Sequence, residues 1–191
     1  KPLHCVSTLS DDRGRPTILD HLNGIPERVV PVGRLDFDTE GLMLLTNDGD
    51  LTNALIHPSG ETPKTYQVKV SGNPKLATLE ALQMGVLLED GPAQVTDVFI
   101  VTPGHQVSPR NTWLEVTVTE GRNRLIRRMM KQVGHTVQRL RRIRFANLEL
   151  TSKLRAGQWR NLNADEIRKL KNVAKAANTK RSQLQSQGKE P

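Results

Sequence analysis

Val32-Gly33-Arg34-Leu35-Asp36-Phe37-Asp38-Thr39-Glu40-Gly41-Leu42 packs four charged side chains into the seven positions from Arg34 to Glu40. It lies between one apolar run, Val29, Val30 and Val32, and a second, Leu42 to Leu45. Apolar runs this short, bounded by glycine and polar residues, have the pattern of buried strands, so the charged insert reads as the loop between them. Charged side chains held on such a loop by a rigid scaffold are a common seat of catalysis. The same residues also fit a solvated turn with a local Arg34/Asp38 pair. The stretch alone leaves both readings open.

Working outward, residues 3–9 are rich in β-formers and read as a strand, followed by a Gly/Pro-punctuated loop from Ser10 to Pro16. Thr17 to Leu22 reads as a short helix ended by Asn23-Gly24, and its His21 has no partner at ligand spacing. Downstream, Asn47-Asp48-Gly49 is a turn, and Leu51, Ala54 and Leu55 recur at helical spacing before Pro58. Lys64 to Val70 alternates as a half-buried strand with Tyr66, Val68 and Val70 on one face. Tyr66 is the only tyrosine in the chain. Its bland reading is a core residue with the hydroxyl at the edge.

Asn73-Pro74 predicts the start of a helix running to Met84, with Leu76, Leu79 and Leu82 inward and Gly85 as the stop. Glu89 to Pro92 is a turn, and Ala93–Val101 and Thr112–Thr119 are β-rich segments separated by a Pro/Gly/Ser loop. Thr136 to Leu150 is β-like, and Gln158 to Leu162 reads as a last short strand. Asn163 with Glu166 has the form of a capping box opening a helix with Ile167, Leu170 and Val173 on one side. From about Ala174 the apolar periodicity fades, which predicts a frayed or disordered basic tail over 174–191. The pattern as a whole is α+β: a mostly antiparallel mixed β-sheet with flanking short helices. It implies one domain over 1–173, with two halves meeting near 58–64.

The composition narrows the partners. The 191 residues are 36% hydrophobic and 25% charged, ordinary for a globular chain. Lys and Arg outnumber Asp and Glu by 28 to 20, a net charge of +8, which favours a polyanion such as nucleic acid. No apolar run is long enough for a membrane span, and no signal-peptide core appears. A single cysteine, Cys5, excludes an internal disulfide, fits a reducing, cytoplasmic setting and reads as a buried structural thiol. The chain opens on Lys1 rather than Met, so a removed upstream segment is expected.

Gly121 to Arg144 is the most basic stretch and contains no acid. Arg124, Arg127, Arg128 and Lys131 fall at i, i+3, i+4 and i+7, opposite Leu125, Ile126, Met129, Met130 and Val133. That is a helix with an apolar face on the core and a cationic face outward, stopped by Gly134. Like charges at this spacing repel, so the cluster implies a missing anion, and arginine suits planar contact with phosphate and bases. Metal-ligand spacings, phosphate-cradling glycine loops and a nucleophile elbow are all lacking. A carboxylate on a loop, an isolated tyrosine and an arginine-rich helix remain. Together they suit an anion-binding cleft with one acid at its centre, where a carboxylate can act as covalent nucleophile.

The segment Gly33 to Leu42 closely resembles the signature of the RsuA/RluB/RluE/RluF family of ribosomal RNA pseudouridine synthases. The resemblance extends to Lys64-Thr65-Tyr66-Gln67-Val68, to Gly85-Val86-Leu87-Leu88-Glu89-Asp90-Gly91 and to Glu120-Gly121-Arg122-Asn123-Arg124-Leu125-Ile126-Arg127-Arg128-Met129. Lys1-Pro2 and Gly14-Arg15-Pro16-Thr17 also look like the family, so the likeness runs from residue 1 to about residue 165. It implies the pseudouridine synthase catalytic fold and isomerisation of a uridine in ribosomal RNA, with the wording favouring the large-subunit, 23S, branch. By the same resemblance Asp36 is the nucleophile, Tyr66 packs on the target uracil and is a candidate for removing the C5 proton, and Arg127 pairs with the catalytic carboxylate. Ile126 lies beside the base, and Arg34 helps hold the place or phosphate of the flipped-out nucleotide. Asp38 has at most a supporting role. Arg124, Arg128 and Lys131, with the Arg139–Arg144 run, are expected to hold RNA phosphates.

The family's reaction is an isomerisation, so the resemblance implies no cofactor and no metal, and it implies a monomer acting on RNA away from membranes. Leu125 stands where many relatives carry Gln or Glu, and Asn147 lies where many have Gly; neither touches the implied chemistry. Relatives usually carry an N-terminal S4-type RNA-binding domain ahead of the part that this sequence resembles, and the expectation is that it has been removed or lost here. The alternative reading is a non-catalytic RNA-binding or ribosome-assembly module. Loss of Asp36, Tyr66 or Arg127 would favour it, and all three are present.

Overall fold

The computed structural model describes residues 1–102 and 110–188. The expected Pro/Gly/Ser loop lies mostly outside them. Ten strands and four α-helices are present among the described residues: β1 (Val30–Pro31), β2 (Glu40–Gly41), β3 (Leu45–Thr46), α1 (Gly49–Ile56), β4 (Lys64–Ser71), α2 (Leu76–Met84), β5 (Val86–Leu88), β6 (Gly91–Ala93), β7 (Asp97–Val101), β8 (Asn111–Val118), α3 (Leu125–Gln132), β9 (Val137–Phe145), β10 (Leu148–Glu149) and α4 (Ala164–Ser186). The chain divides into two compact units, Lys1–Thr62 with Ile143–Pro191, and Pro63–Arg142. The α+β class holds.

The second unit is a sheet covered by two helices. β4 and β8 pair antiparallel along their whole length, from Lys64 opposite Val118 to Ser71 opposite Asn111, and β7 adds to the far edge of β8. On the other side β4 is flanked by β9. The alternation predicted for β4 and β8 puts Val68, Val70, Leu114, Val116 and Val118 on one buried face. Leu79 and Leu82 of α2 and Leu125, Ile126, Met129 and Met130 of α3 pack in the same core. Helix α2 starts later than Asn73-Pro74 suggested, with Lys75 at its N-cap. Leu76, the first helical residue, precedes the turn that meets the core and stays 72% exposed.

The first unit carries little regular strand. β1 pairs β3 through Val30–Thr46 and Pro31–Leu45 only, so the two apolar runs around the charged loop form a two-residue ladder. Residues 3–9 do not form the expected strand. His4 has a positive φ of 58°, and the segment makes a single parallel bridge, Val6 to Thr17. Its backbone bonds go to loops instead, His4 N–H to Phe37 O at 2.9 Å and Ile18 N–H to Val6 O at 3.1 Å. Gln158 to Leu162 is not a strand either, being tied by side chains: Trp159 Nε1 donates to Asn23 O at 3.2 Å and the Arg155 amide to Gln158 Oε1 at 3.0 Å.

Helix α1 is capped by Asp48, whose carboxylate accepts from Leu51 N at 2.9 Å. The capping box of α4 forms as the sequence suggests, Asn163 Oδ1 accepting from Glu166 N and Glu166 Oε2 from Asn163 N, both at 2.9 Å. This helix does not fray at Ala174. It continues to Ser186, because Ala174 and Ala177 follow Leu170 at i+4 and i+7 and are buried with it. Alanines carry little weight in an apolar pattern, yet they allow close approach. A Cβ on Gly60 would lie 2.9 Å from the Ala177 Cβ and 3.0 Å from the Ala54 carbonyl oxygen.

Candidate active site

In the first unit the charged loop is held by bonds to its backbone. Val32 N–H bonds Leu44 O at 2.8 Å, and Thr39 N–H closes a turn on Asp36 O at 3.0 Å. The buried Ser7 hydroxyl grips both backbone groups of Leu35: Oγ donates to Leu35 O at 2.7 Å and accepts from Leu35 N at 3.0 Å. Lys1 Nζ donates to Thr39 O at 2.8 Å. Leu35 and Thr39 are buried and Arg34 is exposed, with Asp36 and Asp38 half-buried between. Gly33 has φ 76°, a left-handed turn that favours glycine at the loop entrance. Burial lowers the Lys1 ammonium pKa, while Cys5 and then the carboxylates of Asp36, Asp38 and Glu40 push it the other way. The loop is therefore an acid-rich turn on a fixed backbone. Of its supports, Lys1 belongs to the Lys1-Pro2 pair that resembles the family, whereas Ser7 carries no sequence signal that separates it from an ordinary polar residue.

Phe37, on the same turn, is 39% exposed. Its ring lies 5.3 Å from that of His4, with the Arg15 guanidinium 6.0 Å from its centroid. Arg15 is itself paired to Asp11 at 2.6 Å.

The second unit contains Tyr66, Ile126, Arg124, Arg127, Arg128 and Lys131. Tyr66 sits on β4 opposite Val116, packed partly against the core. Two residues earlier on the same face, Lys64 Nζ donates to Thr119 O at 2.9 Å. Burial, then repulsion from Arg142, lowers the Lys64 pKa to about 8 against the attraction of Glu120. Helix α3 buries Leu125, Ile126, Met129 and Met130 and leaves Arg127 and Arg128 half-buried and Lys131 exposed. Arg127 Nη1 donates to Val137 O at 3.3 Å. Arg124 is the N-cap residue of α3 at φ 48°.

The basic helix is less bare than the sequence implies. Arg128 binds Asp90 at 2.8 Å, and Arg122 bridges Asp90 at 3.0 Å and Glu120 at 2.6 Å. These bonds, that of Arg128 foremost, hold the Asp90 carboxyl below its usual range. The acids come from outside the Gly121–Arg144 run, so part of the inferred missing anion is supplied by the protein. Among the described residues no group of three or more His, Cys, Asp or Glu is placed to hold a metal ion. No described helix is long and apolar enough to cross a membrane.

The Arg139–Arg144 run needs a larger correction. Arg139 and Arg141 are exposed on β9, but Arg142 is only 2% exposed. Burial lowers the pKa of its guanidinium, and the nearby Tyr66 works in the other direction. A buried arginine is no phosphate contact. The clue available in sequence is its place between Leu140 and Ile143 on a strand, and charge pattern alone concealed it.

The RNA pseudouridylate synthase family profile matches residues 1–132. An uncharacterized RNA pseudouridine synthase of Aquifex aeolicus is 45% identical, covering 82% of this chain and 61% of that protein. The ribosomal large subunit pseudouridine synthase B of Bacillus subtilis is 39% identical, covering 91% of this chain and 70% of the relative. A solved pseudouridylate synthase superposes with a TM-score of 0.75 at 31% identity, covering 89% of this chain and 70% of that one. A box H/ACA particle bound to a substrate RNA containing 2′-deoxyuridine shares the fold, at TM-score 0.53 and 16% identity, over 68% of this chain and 42% of that one. The chain belongs to the RNA pseudouridylate synthase family. It spans 61% of the length of the Aquifex relative and 43% of that of the Pseudomonas aeruginosa synthase B.

Proposed function

We propose that this chain isomerises a uridine of large-subunit ribosomal RNA to pseudouridine, with Asp36 as the nucleophile. The observation that carries the reading is the Arg34-Leu35-Asp36 turn, its backbone locked by Ser7 and Asp36 half-buried on it, in a chain 39% identical to a large-subunit synthase. Fixing the backbone holds a nucleophile in place at little further entropic cost. The target uridine has to leave its stack before a side chain reaches it. Exposed Arg139, Arg141 and Lys131 then offset that cost through phosphate contacts.

The ionised carboxylate attacks ring C6 or ribose C1′, and both routes stay open. The N1–C1′ bond breaks, the uracil turns, and C5 bonds to C1′. The C5 proton departs and N1 ends protonated, so the net reaction is an isomerisation. In this reading Tyr66 packs on the base and is the candidate for taking the C5 proton. Arg127 keeps Asp36 ionised. Ile126 lines the base, while Arg34 and Arg124 attend to the nucleotide's phosphates. The enzyme is read as a cytoplasmic monomer.

The test maps pseudouridine by carbodiimide adducts and reverse-transcription stops on unmodified ribosomal RNA incubated with the chain or with Asp36→Asn. A new stop with the native chain, absent with Asp36→Asn, is expected, with RNA binding nearly unchanged. Stops that persist with Asp36→Asn would remove Asp36 from its role. RNA binding without any stop from the native chain would favour the non-catalytic module.

A further inference from the structure

The first unit also holds a pocket of about 520 Å³, and none of the residues lining it belongs to the charged loop. Its volume is that of a small-ligand site. One wall is His21 and Asn23, and the other is Thr151, Lys153, Trp159 and Arg160. Two contacts fix these walls to each other. The Trp159 indole N–H donates to Asn23 O at 3.2 Å, across 136 positions of the chain. The His21 ring rests on Gly157, where a Cβ would lie 3.2 Å from Nδ1. The site is therefore shaped before anything enters it. With its N–H bonded and its ring still 37% exposed, Trp159 presents a π-face whose orientation is already set.

The lining combines a flat aromatic ring, an imidazole, amide and hydroxyl groups, and cations. Among the described residues none of those lining it is acidic. That set matches a nucleotide, with a ring for the base to stack on and donors and acceptors for its edge. Arg160 is already held by Glu166 at 2.6 Å, so the cation offered to a phosphate is the exposed Lys153. We propose that this pocket binds an unpaired nucleotide of the RNA, its base stacked on Trp159 and its phosphate on Lys153, as a second foothold apart from the reacting uridine. The choice of RNA as the ligand rests on the reading of this chain as an enzyme of RNA. Such a foothold needs no defined sequence, because every base has a π-face.

The chain has two tryptophans, so Trp113→Phe, on β8, leaves Trp159 as the sole indole reporter. Titrating that protein with an oligoadenylate of about nine nucleotides, which has no uridine to isomerise, should quench Trp159 emission. By fluorescence anisotropy, Trp159→Leu should weaken binding of the same RNA by about 5- to 100-fold, with the slope of log K against log salt unchanged. Lys153→Gln should shallow that slope by about 0.7. Emission that stays constant, whether or not anisotropy reports binding, overturns the proposal. So does a Trp159→Leu chain that binds as tightly as the native one. If that variant fails to fold, an unchanged salt slope in Lys153→Gln overturns it. An equal quench by AMP at the same nucleotide concentration overturns it as well, because it would mark a site for free nucleotides rather than for a strand. A quench and a lost affinity in a chain that makes no pseudouridine on ribosomal RNA leave the foothold standing and overturn the enzymatic reading instead.

Discussion

Lys64 and Arg142 place two cations beside the one tyrosine of the chain, and the cost of doing so can be read for Lys64. Burial is the main cause of its lowered pKa of about 8, with Arg142 adding to it. In the unfolded chain a lysine titrates near 10.4, so between those values the unfolded state binds more protons and stability must rise with pH. Below pH 8 the ammonium is charged in both states and its full penalty stands. A gap of this size corresponds to about 3 kcal/mol as an upper bound. Urea unfolding of the native chain should therefore show higher stability at about pH 9.5 than at about pH 7, relative to the same pair for Lys64→Met. Equal slopes in the two proteins would remove Lys64 as the source. At this scale the sequence was least informative. It marked Asp36, Tyr66 and Arg127 by resemblance, but it could not show that Ser7 locks Leu35 or that Arg142 points inward. Polar side chains advertise charge, not direction.

Elements were legible where their own periodicity decided them. β4, β8, α1 and α3 lie within a residue or two of the apolar pattern, because each buries one face against a core that repeats at the strand or helix period. Residues 3–9 and 158–162 failed because their β-forming composition is satisfied by bonds to loops, which no local pattern encodes. The extent of α4 failed for another reason. Its far half packs through alanines, and its fit depends on Gly60, some hundred residues earlier in the chain. That contact predicts the behaviour of Gly60→Ala. The new methyl would meet the Ala177 Cβ and the Ala54 carbonyl at distances that backbone cannot accept, so α4 must shift. Overpacking of this kind costs about 1–3 kcal/mol. A drop of that size in the urea midpoint, with α1 and the 58–60 turn losing amide protection together with α4, is the expected result. A neutral substitution would mean that α4 is not packed on Gly60.

On the scale of the whole chain, the net charge of +8 predicts a polyanionic partner, but the structure sorts those cations by what each is able to do. Arg128 is tied to Asp90 and Arg122 to Asp90 and Glu120, so contact with phosphate would have to displace an existing ion pair. Arg142 is buried and cannot reach a phosphate at all. Arg141 and Lys131 are exposed, on β9 and α3. Counterion release makes these classes separable, since each phosphate neutralised on RNA contributes about 0.7–0.9 to the slope of log K against log salt. Arg141→Gln and Lys131→Gln should each shallow the slope of RNA binding by about that amount. Arg128→Gln should change it by less than half as much, because the freed Asp90 adds repulsion at every salt concentration without removing an intact phosphate contact. Fluorescence anisotropy across a salt series gives all three slopes. A large change for Arg128→Gln with none for Arg141→Gln would show that RNA opens the Asp90 pair and binds on α3 rather than along β9.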